Sequence, residues 1–281
     1  MGLKFKNSLT APAKTPVCVA PPGSASALPV GETLLPITEH LPDDIFVVGY
    51  PKSGNTWVQN LIAAAIHGVD LETATDSLVQ QLVPDVSYKK GYKRHAAPMF
   101  FKSHALPTAA YRRVIYLLRD GRDAMVSYLH HLRALRSEPV DFLDLVQTGR
   151  WLYPCKWHEH IRQWWPNPFG AEFMLVRYED LQRDTLKELE RICEFAGRRP
   201  DAGCLKEAVG KASFAAMQNR EKRLGWDNPQ WPKDKAFVRR GIVGSHADEM
   251  PREVLEAFLK EAGETLRLAG YSCSQNGNGS A

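Results

Sequence analysis

The chain has 281 residues, 44% of them hydrophobic, which suffices for one large core rather than two. Its net charge of +4 suits a protein that handles small anions and is far too weak for a nucleic-acid binder. No apolar run reaches the length of a membrane span and no signal-like segment opens the chain, so the expectation is a cytoplasmic domain with no membrane partner.

Residues 1–40 are rich in Pro, Ala, Ser and Thr, with no acidic residue before Glu32, and read as a disordered leader. An organellar targeting segment would also be acid-poor, but it would carry arginine, which this leader lacks. Residues 41–271 form the predicted domain, and 272–281 are a polar, disordered tail. The five cysteines (Cys18, Cys155, Cys193, Cys204 and Cys273) show no metal-knuckle spacing and read as reduced thiols.

The first predicted strand is the apolar run Ile45-Phe46-Val47-Val48. It leads into Gly49-Tyr50-Pro51-Lys52-Ser53-Gly54-Asn55-Thr56-Trp57 and then a helix with Val58, Leu61, Ile62 and Ala65 as its apolar positions. A strand, a tight loop and a helix start offer free backbone N–H groups to a phosphate-like anion. Gly49 and Gly54 have the spacing of a Walker A loop and Thr56 its usual place, but the lysine expected after the second glycine is Asn55. The lysine has moved inside the loop, to Lys52. A solvent-exposed lysine on an ordinary βα turn is the plain alternative.

Next comes Phe100-Phe101-Lys102-Ser103-His104-Ala105-Leu106-Pro107, where an apolar stretch that fits a strand delivers Lys102 and His104. A lone histidine is more often structural than catalytic. Its imidazole nonetheless titrates at roughly 6.5 when unperturbed, which suits a general base. Val114 to Leu118 is a continuous apolar run, as in a strand buried on both faces. It ends at Arg119, and a helix beginning near Ala124 carries Ser127. An arginine fork beside a hydroxyl on the first helical turns makes a phosphate receptor, unless Arg119 merely pairs with Asp123.

His130 and His131 are adjacent and diverge on a helix, so they are poor co-ligands, and Trp157-His158-Glu159-His160 reads better as scaffold than as a metal site. A third strand, Phe173 to Val176, precedes Tyr178-Glu179-Asp180 and a helix over 187–197. Ala212 to Met217 contains Phe214. The segment Phe237-Val238-Arg239-Arg240-Gly241 is basic and, taken alone, fits a surface turn. Strands alternating with helices predict an α/β fold: a single domain with a central parallel sheet flanked by helices, its loops opening beyond the carboxyl ends of the strands.

The loop Tyr-Pro-Lys-Ser-Gly-Asn-Thr-Trp resembles the 5′-phosphosulfate loop of sulfotransferases that use 3′-phosphoadenosine 5′-phosphosulfate (PAPS), with only Asn55 departing from the pattern. The cytosolic small-molecule group is the nearest match, over about 44–271. The resemblance implies a P-loop-like phosphosulfate-binding loop made by Lys52, Ser53, Gly54, Asn55, Thr56 and Trp57. It implies a 3′-phosphate site from Arg119, Ser127, Arg239, Arg240 and Gly241, with Arg240 standing for the family's lysine. Trp57 and Phe214 match the adenine-stacking pair and Tyr178 the adenine edge, although Ala212 replaces a usual threonine.

For catalysis the resemblance implies His104 as base, Lys52 at the bridging oxygen, Lys102 on the sulfonate, and Ser127 holding Lys52 idle until an acceptor binds. PAPS is then the sulfuryl donor, adenosine 3′,5′-bisphosphate (PAP) the product, and no metal is required. The acceptor would be a small molecule offering a hydroxyl or amine. The variable segments 88–98, 132–153 and 224–236, with Tyr88, Tyr92, Trp151, Tyr153, Trp226 and Trp231, suggest an aromatic pocket. The family's dimer motif is not recognisable, so no oligomeric state is implied. A P-loop kinase and a non-catalytic adenosine-bisphosphate-binding module are the competing classes. The first needs a lysine after Gly54, and the second needs no base.

Overall fold

A computed structural model describes residues 33–226 and 231–273. The chain opens with β1 (Leu34–Pro36) and β2 (Ile45–Gly49), followed by α1 (Asn55–His67) and α2 (Asp76–Leu82). Strands β3 (Gly91–Lys93), β4 (Phe100–Ser103) and β5 (Arg113–Leu118) precede α3 (Gly121–Leu135), α4 (Phe142–Thr148) and α5 (Trp157–Trp164). After β6 (Glu172–Arg177) the chain is helical: α6 (Tyr178–Arg183), α7 (Thr185–Phe195), α8 (Ala202–Lys211), α9 (Phe214–Leu224), α10 (His246–Glu249) and α11 (Arg252–Leu268).

β2 is buried along its whole length because each face meets a separate helical layer. Phe46 and Val48 point into a core shared with Tyr116, Leu118, Trp157 and Phe258 on the side of α3, α5 and α11. Ile45 and Val47 point into a second core with Val58, Leu61, Ile115 and Leu189 on the side of α1 and α7. The apolar run without alternation follows from this double burial. The central sheet has the order β4-β2-β5-β6 and is parallel throughout, as the β-then-α rhythm predicts.

Register decides where the site lies. Val48 pairs with Ser103, Gly49 with Leu117, and Leu118 with Arg177. The four strands therefore end at one level, and the loop after Gly49, the His104 segment, Arg119 and Tyr178 all leave the same sheet edge.

Two boundaries differ from the sequence reading. The composition extends the expected leader to residue 40, yet β1 pairs antiparallel with β3 through Leu34 to Pro36, so the folded part already includes Leu34. Residues 1–32 and 274–281, which hold most of the expected leader and tail, lie outside the described residues. Helix α3 starts at Gly121 rather than near Ala124, because the Asp120 carboxylate accepts the Arg122 N–H at 2.9 Å and caps it earlier. Cys155, Cys193 and Cys273 carry free thiols.

Candidate active site

The loop after β2 closes on itself through Ser53 N–H to the Tyr50 carbonyl at 3.1 Å. Lys52 adopts φ 74 and Gly54 φ 98, so the turn holds a non-glycine residue in the left-handed region. Such strain costs on the order of 1–3 kcal/mol and persists where the surroundings impose it, commonly at ligand sites. Helix α1 follows with no side chain capping its start, which leaves its first-turn N–H groups open to an anion. The Ser53 hydroxyl is buried without a partner in the same loop.

Asn55 points inward instead of toward a ligand. Its Nδ2 donates to Val47 O at 3.4 Å and Ser103 O at 3.5 Å, tying the helix start to the ends of β2 and β4. A Cβ on Gly54 would stand 2.8 Å from the Tyr178 ring, which packs against the loop. The Arg119 guanidinium lies 4.2 Å over that same ring. It donates to Lys52 O at 2.9 Å and Ile242 O at 3.0 Å, so it clamps the first anion loop to the Arg239–Gly244 segment. Its Nε is buried with no partner. The plain alternative for Arg119 is present only as a 3.9 Å approach to Asp123. Asp123 instead anchors the following turn, accepting Gly244 N–H at 2.7 Å and His246 N–H at 2.9 Å.

Lys52 gathers the electrostatic consequence. Burial first, then the charges of Lys102, Arg119 and Arg239, press its ammonium down to about 7. Its Nζ sits 4.8 Å over the Phe237 ring, whose negative face attracts the cation. Lys52, Ser127, Arg239, Phe237, Trp231 and His131 line a single cavity of about 280 Å³. Arg239 and Arg240 are not vacant: both reach Glu249, at 2.8 and 3.0 Å, and His130 joins the same carboxylate at 2.7 Å.

His104 accepts a fixed orientation from the loop. Its Nδ1–H donates to the Gly49 carbonyl at 2.7 Å, which assigns the lone pair to Nε2. Burial, then neighbouring Lys102, pulls its pKa to about 4, well below the near-neutral value expected of a free imidazole. The ring is thus neutral and base-competent across the physiological range. Lys102 donates to Thr56 Oγ1 at 3.3 Å and forms an ion pair with Asp85 at 2.9 Å. No sequence motif marked Asp85.

The expected adenine residues converge. Trp57 meets Tyr178 edge-on with centroids 5.9 Å apart, and its Nε1–H donates to Ala212 O at 2.9 Å. The position that departs from the threonine pattern therefore contributes its backbone. Phe214 lies so close to Gly241 that a Cβ there would stand 2.5 Å from the ring. Gln182, which the sequence reading missed, ties Tyr178 Oη to Gly241 O with two 2.9 Å bonds.

The tryptophan–histidine helix buttresses these loops. Trp157 Nε1–H donates to Arg119 O at 3.2 Å and Trp164 Nε1–H to Ala105 O at 3.0 Å, while His160 pairs with Tyr116 Oη at 2.8 Å. Trp165 does not share that packing and is 45% exposed. Among the predicted pocket aromatics, Trp231 lines the cavity and stacks on His131 at 5.3 Å. Tyr92 is instead buried in the core, bound to Glu39 O and Arg94. Among the described residues no cluster of three His, Cys, Asp or Glu has the geometry to hold a metal ion.

A model of the sulfotransferase domain matches residues 42–270. Bovine sulfotransferase 1A1 is 29% identical over 256 residues, covering 83% of this chain and 85% of the relative. Mouse sulfotransferase 1E1 is 26% identical over 240 residues, covering 77% and 81%. The solved structure of retinol dehydratase in complex with retinol and PAP superposes with a TM-score of 0.63 at 20% identity, over 82% of this chain and 83% of that one. Mouse sulfotransferase SULT7A1 complexed with PAP gives 0.62 at 22% identity, over 83% and 86%.

Proposed function

This chain belongs to the sulfotransferase domain family, and from that premise we propose that it transfers a sulfuryl group from PAPS to a hydroxyl or amine of a small-molecule acceptor, with His104 as general base. When bound, PAPS supplies a sulfonate on a phosphate leaving group, so the reaction is an in-line displacement in which an acceptor–sulfur bond forms and the bridging oxygen–sulfur bond breaks.

The residues divide that task by chemistry. His104 Nε2 takes the acceptor proton, because Nδ1 is committed to Gly49 O. Lys52 offsets charge on the departing phosphate. Lys102 gives one N–H to Thr56 and is held by the Asp85 ion pair, and a further donor of its ammonium suits a sulfonate oxygen. The open α1 terminus with Ser53, Gly54, Asn55 and Thr56 receives the 5′-phosphate. Arg119, Ser127, Arg239, Arg240 and Gly241 receive the 3′-phosphate, and Trp57, Tyr178 and Phe214 hold the adenine. The observation that carries this reading is the gathering of Lys102, Arg119 and Arg239 around Lys52 beside an uncapped helix start, where burial first and then their charges depress Lys52. No helix among the described residues is long and apolar enough to cross a membrane, and we assign the enzyme to the cytoplasm.

A kinase reading fares worse, since the position its catalytic lysine would occupy is Asn55, whose amide is spent on strand carbonyls. A thermal-shift titration separates the two with PAP, with ATP and Mg²⁺, and with AMP. Ligand at a hundred times its Kd stabilises the fold by about 2.7 kcal/mol. A large shift with PAP alone supports the proposal, whereas a shift confined to ATP with Mg²⁺ sinks it.

A further inference from the structure

We propose that Asp85 is a positioning residue of the transfer reaction: its buried carboxylate holds Lys102 in the orientation that presents one N–H to the sulfonate. The inference rests on the preceding assignment of Lys102 to the sulfuryl group.

Backbone geometry brings the two residues together. The chain after Val83 runs parallel to β4, with Asp85 bridged to Lys102. Lys102 N–H donates to Pro84 O and Val86 N–H to Lys102 O, each at 2.9 Å, so the backbone is fixed on both sides of the pair. Asp85 is fully buried, and its Oδ1 accepts Ser87 N–H at 2.9 Å. That leaves Oδ2 for the Lys102 ammonium at 2.9 Å.

A lysine ammonium has three donors on a flexible four-carbon stem. Thr56 Oγ1, on the nucleotide loop, accepts one of them, and Asp85 Oδ2 holds the ammonium as an ion pair at 2.9 Å. These two fixed partners set where the ammonium stands, and because one of them belongs to the loop, that position is registered to the donor nucleotide. A buried carboxylate without its cation is costly, so the pair is also self-enforcing. Burial alone would raise the Asp85 carboxyl, but the Lys102 ammonium holds it below the usual carboxylate range, so it stays ionised beside the lysine. The pair differs from an ordinary core ion pair in its neighbours. Lys102 retains 7% exposure on the sheet edge that carries the anion loop, whereas Asp85 is sealed behind it.

The test is single-turnover transfer of labelled sulfonate from PAPS to a simple phenol such as 4-nitrophenol, with PAP affinity measured in parallel. In Asp85→Asn the rate should fall at least tenfold while the PAP Kd stays within about twofold, because PAP lacks the sulfonate. Asp85→Glu should recover part of the rate. A rate within threefold of wild type would overturn the proposal. So would a parallel loss of PAP affinity, which would make Asp85 a general support of the loop. Asp85→Asn strands a buried lysine, so the pair is also removed together. If Asp85 acts through Lys102, Asp85→Asn/Lys102→Met should match Lys102→Met alone within twofold, and a further loss in the double variant overturns the inference. Full activity in Lys102→Met would instead remove the assignment of Lys102 itself.

Discussion

Binding of the nucleotide should draw a proton onto Lys52. In the free protein, burial and the charges of Lys102, Arg119 and Arg239 hold that ammonium near 7, so at pH 8 only about one molecule in eleven carries the proton. A bound phosphate restores the cation, because an opposite charge at contact favours the charged form. The protein should then take up about 0.9 proton per PAP bound at pH 8 and about 0.5 at pH 7. The phosphates themselves contribute little at pH 8, since their second ionisation lies near 6. Isothermal calorimetry in Tris, HEPES and Tricine at pH 8 reads the number directly as the slope of observed heat against buffer ionisation heat. The PAP Kd should weaken about fivefold between pH 7 and pH 8 for the same reason. Lys52→Met should abolish the uptake. An uptake below about 0.2 proton in the wild type, or one that persists in Lys52→Met, would refute the electrostatic reasoning behind the site.

Other consequences follow from the packing. A methyl group on Gly121 would stand 2.5 Å from the indole of Trp157, which is buried and holds the Arg119 carbonyl. Gly121→Ala should therefore cost about 1–3 kcal/mol in urea unfolding and weaken PAP binding, whereas an unchanged midpoint would contradict the contact. Acid should destabilise the fold early. Burial depresses His67 and His104 to about 4 and His131 and His160 to about 3, so the unfolded chain binds their protons first. Stability is complete above about pH 6.5 and is lost as pH falls toward 4. A melting temperature that stays flat from pH 7 to pH 5 would rule this out.

Much of the site was legible because its chemistry is local in sequence. A strand, a lysine-bearing loop and a helix start lie within residues 45–66, and double burial writes β2 and β5 as unbroken apolar runs. The parallel register then follows from the β-then-α rhythm, and it brings Lys52, His104, Arg119 and Tyr178 to one edge. What stayed hidden depends on contacts made across the fold. Asp85 meets Lys102 only through an isolated parallel bridge, and Glu249 reaches Arg239 and Arg240 across a turn without motif. β1 escaped because its proline-rich composition resembles the leader, and only pairing with β3 makes it a strand. The depressed value of His104 is likewise a product of burial, which no spacing encodes.

The most direct test of the mechanism is His104→Ala, with sulfuryl transfer from PAPS to a phenol panel and PAP affinity measured on the same preparation. A general base typically contributes 10²–10⁴-fold, so turnover should fall by about that factor while the PAP Kd moves less than about threefold. Transfer that survives the substitution, or PAP binding that collapses with it, would show that His104 supports the loop through Gly49 and is not the base.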